Sequence, residues 1–230
     1  GQDLPHWTWK QWSIAAARYY AYITMIDSQI GYILDYLRQS SLYNSTIVIF
    51  LSDHGDLTGA HGGMKDKSGI MCEEVYHIPM IISGAVPSEC KGKRISDIVS
   101  NIDIAPTILQ IAQIPVPEYM QSPGLSHFIY VPENKKVPKQ DYIVSEFHGH
   151  RFFYSTRMVR TRKWKYIFNA ADIDELYNTY EDPWELENLI DNKRYSHIIK
   201  NLREKLIEWM QSTDDSLIHH AQNLFRVKIK

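Results

Sequence analysis

Cysteine is nearly absent from this sequence: Cys72 and Cys90 are the only two among 230 residues. That excludes a disulfide framework, and with no CxxC pair it also excludes the common cysteine-based metal and redox motifs. Neither sign of charge is in excess. The 25 basic and 27 acidic residues leave a net charge of -2, so no global field draws the chain to nucleic acid or to an anionic membrane surface. No apolar run approaches the roughly 20 residues that a spanning helix requires, so no membrane span is expected. Internal repeats and low-complexity segments are missing as well. The chain opens Gly1-Gln2-Asp3 without an initiator methionine or an apolar leader, and no compartment is read from it.

What is present belongs to an ordinary globular protein, with 44% hydrophobic and 23% charged residues. The length suffices for one large domain, or for a main body plus a small second one. Residues 11–39 predict one amphipathic helix, because Ile14, Tyr19, Ile23, Ile26, Ile30, Ile33 and Leu37 mark a single stripe to be buried. Thr46-Ile47-Val48-Ile49-Phe50-Leu51 is short, β-branched and without alternation. After a helix, such a run predicts a strand buried on both faces of an α/β sheet with parallel strands. Pro79 to Gly84 predicts a second strand, and residues 95–113 a helix with Ser100, Asp103 and Pro106 as start signals.

Proline and polar residues then crowd 114–139, a crossing or a boundary. Beyond it, residues 141–145, 156–161 and 164–168 predict short strands of an antiparallel meander. Asp182-Pro183 suggests the start of a short helix, and 195–211 predicts an amphipathic one through Ile199, Leu202, Leu206 and Trp209. From Ser212 onward no pattern stands out.

The chemistry concentrates in Ser52-Asp53-His54-Gly55-Asp56-Leu57-Thr58-Gly59-Ala60-His61-Gly62. This segment begins where a strand ends, the position at which open α/β sheets bind ligands. Asp53 and His54 would point to opposite faces of a continuing strand, but Gly55 lets the backbone turn at once. Carboxylate and imidazole can then converge on one cation. On spacing alone, an aspartate capping a loop beside a satisfied turn histidine explains the residues equally well.

That string, followed by Lys67, Glu73-Glu74 and His77-Ile78-Pro79-Met80-Ile81-Ile82, resembles the type I sulfatases of the alkaline phosphatase superfamily. The helix before it, through Tyr19-Tyr20-Ala21, Met25-Ile26-Asp27 and Gly31-Tyr32-Ile33-Leu34, is similar to the helix at that place in the family. Asp103-Ile104-Ala105-Pro106-Thr107-Ile108-Leu109, Arg157-Met158-Val159-Arg160-Thr161, Trp164-Lys165-Tyr166-Ile167 and Asp174-Glu175-Leu176-Tyr177 continue the likeness in order. Each motif is weak, but the ordered set is strong.

The resemblance implies that Asp53 and His54 ligate a divalent cation, calcium in the family, beneath a sulfate group. It implies that a lysine after the His-Gly dipeptide binds the sulfate oxygens. Lys67 stands at the family's distance before Glu73-Glu74; Lys65 is the alternative, because the loop holds one extra residue. The chemistry needs such parts, since a cation and a lysine neutralise sulfuryl oxygens and hold the group in line. The family's nucleophile is a formylglycine made in a Cys/Ser-x-Pro/Ala-x-Arg motif, and neither Cys72 nor Cys90 stands in one. The family's paired N-terminal aspartates are not identifiable either.

The expectation is therefore the C-terminal portion of a sulfuric ester hydrolase, inactive by itself. Its fold would be α/β: the end of an alkaline-phosphatase-like sandwich with a mostly parallel sheet at residues 1–131, then a smaller α+β subdomain with an antiparallel sheet at 132–230. Its partner would be a sulfate ester such as a sulfated glycan, in a periplasmic, secreted or lysosomal-type compartment by resemblance alone. A phosphonate monoester or phosphodiester hydrolase of the same superfamily is the alternative, and a non-catalytic binding fragment or pseudoenzyme a third. His148 and His150 either line a substrate pocket or sit in an exposed loop. His61 is expected to support or pack the metal loop. Arg157, Arg160, Arg162, Lys163 and Lys165, interleaved with aromatics, read as solvated strand edges rather than a nucleic-acid face.

Overall fold

The structure, a computed structural model, describes residues 6–67, 69–130, 140–149 and 154–226. The chain divides into two compact units, Gly1–Ile95 with Ser126–Lys135, and Ser96–Leu125 with Lys136–Lys230. The expected division at 131/132 falls outside the described residues, and the 96–125 segment groups with the second unit. No helix among the described residues is long and apolar enough to cross a membrane.

The first unit opens with helix α1 (Trp9–Gln39), in agreement with the periodicity. The Gln11 side-chain oxygen accepts from the Thr8 backbone N–H at 2.8 Å, one half of a capping box. The stripe itself is not buried. Ile23, Ile26 and Ile33 are 48%, 51% and 62% exposed. The contacts α1 makes fall toward its ends, where Trp12 lies over Gly59 and Arg38 over the Tyr43 ring.

Strand β1 (Ile47–Leu51) follows, then two single turns, α2 (Ala60–Gly63) and α3 (Glu73–Tyr76), then β2 (Met80–Gly84). The two strands pair antiparallel, from Ile47 opposite Gly84 to Leu51 opposite Met80. Parallel pairing needs a crossover, usually a helix lying along the sheet; neither single turn is long enough to provide one. The strands are also not buried on both faces, with Phe50 38% and Ile81 58% exposed. Two strands leave each other's faces uncovered. The class is still mixed α/β, but the parallel neighbours expected of β1 are not formed among the described residues.

Helix α4 (Ile104–Ile111) belongs to the second unit, and the single turn α5 (Ser126–Ile129) to the first. α4 is shorter than predicted because its start is set at Asp103, whose carboxylate accepts from the Ser100 N–H at 2.7 Å and from the Ser122 hydroxyl. The second unit is then built on β3 (Tyr142–Phe147), β4 (Thr156–Thr161), β5 (Trp164–Asn169) and β6 (Glu175–Asn178), an antiparallel meander in that order. Helices α6 (Ser196–Ser212) and α7 (Ile218–Phe225) complete it. Its core joins Val159, Tyr166, Phe168 and Leu176 of the sheet to Leu202, Leu206, Met210 and Ala221 of the helices. Residues 182–192 form turns rather than the short helix suggested by Asp182-Pro183.

Two members of the basic run are buried, which corrects the reading of solvated edges. Arg157 pairs with Asp215 at 2.6 Å and Lys165 with Glu185 at 2.5 Å, all four side chains at most 2% exposed. The β4–β5 register sets Arg157 opposite Phe168 and Lys165 opposite Arg160, so the two cations lie on opposite faces of the sheet, and each is buried beside the carboxylate that makes a buried charge tolerable. Arg162 and Lys163 pair with Asp97 and Glu181 at partly exposed positions.

Candidate functional site

The site is built where β1 ends. The Gly55 N–H donates to the Val75 carbonyl at 2.8 Å, and a Cβ on Gly55 would stand 1.9 Å from the Glu74 carbonyl oxygen. Only glycine permits that approach, and it diverts the chain directly after Asp53 and His54. The Ser52 hydroxyl donates to the His54 carbonyl at 2.7 Å, and the His54 N–H to Asp53 Oδ1 at 2.9 Å. That N–H, and then the imidazole, hold the Asp53 carboxyl below its ordinary value.

His54 Nδ1 lies 2.7 Å from the Gly55 carbonyl oxygen. A carbonyl can only accept, so Nδ1 carries the proton and Nε2 keeps a bare lone pair. Lys67 Nζ sits 3.1 Å from that Nε2 and donates to it, and Asp53 Oδ2 is 3.6 Å away. Asp53, His54 and Lys67 are thus brought together. Lys65 is turned elsewhere, its ammonium 4.2 Å from the Trp7 ring centroid. An exposed carboxylate beside an imidazole lone pair fits two ligands of one divalent cation. The Nδ1–carbonyl bond is the outer contact that fixes such a ring's orientation.

The loop closes on itself below this pair. Asp56 Oδ1 accepts from the Thr58 N–H at 2.7 Å and from its hydroxyl at 2.9 Å. Gly59, at φ +98°, has the Trp12 ring where a Cβ would be, 2.8 Å away. His61 is left-handed (φ 50°, ψ 52°), and its Nε2 lies 3.1 Å from Glu74 Oε2. Burial would raise the Glu74 carboxyl, but its own backbone N–H, His61 and Cys72 together hold it below its ordinary value. Sequence reasoning gave His61 a supporting place and did not single out Glu74; its signal was the Glu73-Glu74 pair.

The family described as N-sulphoglucosamine sulphohydrolase, C-terminal, matches residues 59–212. The chain belongs to the type I sulfatases. This sulfatase chain is 35% identical to arylsulfatase K of Bos taurus over 202 residues, 83% of this chain and 35% of that protein. A solved structure described as a 2-O GAG sulfatase resembles it with a TM-score of 0.83 at 25% identity, across 98% of this chain and 48% of that one. The phosphonate monoester hydrolase of Agrobacterium radiobacter does so with a TM-score of 0.78 at 26% identity, across 90% and 43%. The chain therefore spans between about a third and a half of the proteins it matches.

In the sulfatase chain's second unit, His148 follows β3. Its Nε2 is 3.0 Å from Glu146 Oε2, an oxygen that also stands 3.6 Å from Arg157 Nε. The His148 side chain is 62% exposed, a loop histidine steered by an acid that a buried arginine also reaches. His150, named with it from the sequence, lies outside the described residues.

Proposed function

We propose that this chain is the part of a sulfatase that grips the sulfuryl group of an ester while its S–O bond is hydrolysed. The observation that carries the reading is the meeting of Asp53, His54 and Lys67 at the end of β1, in a chain of this family. The overall reaction adds water across the ester and releases an alcohol and sulfate. Asp53 and His54 would hold a divalent cation, calcium by family resemblance, which when bound would draw charge from the sulfuryl oxygens. Lys67 donates to the His54 lone pair only while no cation holds that nitrogen; with the cation bound, its flexible ammonium would turn to the same sulfuryl oxygens. Its attraction strengthens as negative charge builds during cleavage. The nucleophile, a formylglycine by resemblance, comes from outside these 230 residues, so the chain alone is inactive. A sulfated sugar is the favoured substrate class, as the likeness to a 2-O GAG sulfatase supports.

The test is sulfate release from an aryl sulfate and from a sulfated disaccharide, by the protein joined to its upstream portion. Turnover should vanish on chelation and in Asp53→Ala. Full activity in Asp53→Ala would overturn the reading. The likeness to a phosphonate monoester hydrolase supports one other reading, hydrolysis of a phosphonate monoester. A kcat/KM higher for an aryl phosphonate than for the matching aryl sulfate would favour it.

A further inference from the structure

We propose that His61, Cys72 and Glu74 form a second metal site in the first unit, one that takes a zinc-class divalent cation. Each offers one ligand atom, and the imidazole nitrogen, the thiol sulfur and the carboxylate oxygen all lie within 4.8 Å of one another. In a tetrahedral zinc site, bond lengths of about 2.0 to 2.3 Å put neighbouring ligand atoms roughly 3.3 to 3.7 Å apart. The His61–Glu74 edge is already at 3.1 Å, so small side-chain rotations close the set. The donor types choose the ion. Sulfur with nitrogen and one oxygen suits zinc or cobalt and not calcium, which wants oxygen throughout. The Asp53–His54 pair has no sulfur donor.

The backbone holds the three donors in place. Cys72 is 5% exposed, and its carbonyl accepts from the Val75 and Tyr76 N–H groups at 3.2 and 3.1 Å, which ties Cys72 and Glu74 into one short turn. The side chains of His61 and Glu74 are 19% and 22% exposed. The chain has positive φ at Thr58, Gly59, His61, Gly62 and Gly63, and the two side chains in that run have different partners, Thr58 meeting Asp56 and the His61 imidazole meeting Glu74. Three protein ligands leave a fourth position for water. Binding displaces the Cys72 thiol proton to solvent as the sulfur–metal bond forms, and the His61 nitrogen that takes the metal gives up the proton it shares with Glu74 to the other ring nitrogen.

The protein, stripped with a chelator, is titrated with Zn(II) and separately with Co(II). One equivalent should bind, and cobalt should show thiolate-to-metal charge-transfer absorption that disappears in Cys72→Ser. His61→Gln and Glu74→Gln should each weaken zinc binding by about tenfold or more, since even outer-shell contacts are worth 10- to 100-fold. The Asp53→Asn, His54→Gln double variant should keep the absorption, which separates this site from the sulfate site. Because Cys72 is buried and its substitution can disturb folding, X-ray absorption of the unaltered protein with one equivalent of zinc gives an independent reading. It should show one sulfur at about 2.3 Å. Only nitrogen and oxygen around the zinc, cobalt bound without the charge-transfer band, or affinity unchanged in His61→Gln would each overturn the site, leaving a hydrogen-bonded His–Glu pair beside a thiol.

Discussion

Replacing Asp215 by alanine should strip the second unit of about 3 to 4 kcal/mol. Its carboxylate faces Arg157 in two-pronged fashion, Nε to Oδ2 at 2.6 Å and Nη2 to Oδ1 at 3.3 Å. Both side chains are at most 2% exposed. Removing one partner of a buried pair costs about 3 to 5 kcal/mol, because the other charge stays behind in a poor solvent. Two features pull the estimate down. Arg157 Nη1 keeps the Ser155 hydroxyl at 3.1 Å and the Thr156 carbonyl at 2.9 Å, and Glu146 remains 3.6 Å from Nε. One feature pulls it up. Asp215 Oδ1 also accepts from the Leu217 N–H at 2.8 Å, in the turn before α7, and loss of one such hydrogen bond costs about 1 kcal/mol. Urea unfolding followed by tyrosine and tryptophan signals measures the change, seen as a lower midpoint at unchanged slope. The Arg157→Met, Asp215→Leu double variant should recover most of the loss, since apolar isosteres leave no orphaned charge. A single-variant loss under about 1 kcal/mol, or a double variant no more stable than the single, would refute the reasoning.

Lys67→Ala, in the protein joined to its upstream portion, should slow sulfate-ester turnover by roughly 100- to 1000-fold, the usual cost of one preorganised electrostatic partner. Lys65→Ala, whose ammonium rests on Trp7, should change turnover by less than about tenfold, as steady-state kinetics on both would show; a reversed order would move the role to Lys65. Gly55→Ala should destabilise the first unit by about 3 kcal/mol, the upper end of overpacking costs, because its Cβ would stand 1.9 Å from a backbone oxygen; a thermal midpoint equal to that of the parent would sink this. Leu206→Ala, at a fully buried point between α6 and the sheet, should cost about 2 to 5 kcal/mol in urea unfolding.

Much of the second unit was legible in one dimension. β4 and β5 follow their β-branched and aromatic runs, and α6 follows Ile199, Leu202, Leu206 and Trp209 to within a residue of its observed ends. α7 escaped notice because its apolar positions, Ile218, Ala221 and Phe225, are few and sit among polar residues. Their meaning appears only when Phe225 is seen against Tyr166 and Phe168. β6 is four residues long, too short for alternation to declare itself.

By itself the sequence determined the family, the adjacency of Asp53 and His54 at the end of a strand, and the helix α1, because contiguous motifs and periodicity are local properties of the chain. The period that marks a stripe on α1 is the same whether or not anything covers that stripe, so burial could not be read from it. Tertiary structure alone decided which lysine stands beside His54, since Lys67 lies thirteen residues away and its neighbour Lys65 has the same charge and reach. It alone decided that β1 pairs antiparallel with β2, which turns on how the intervening loop folds back. It alone decided that Arg157 is interior, because its partner Asp215 comes from a loop 58 residues on. Local order follows from side-chain spacing; the meeting of distant charges follows from where the backbone returns.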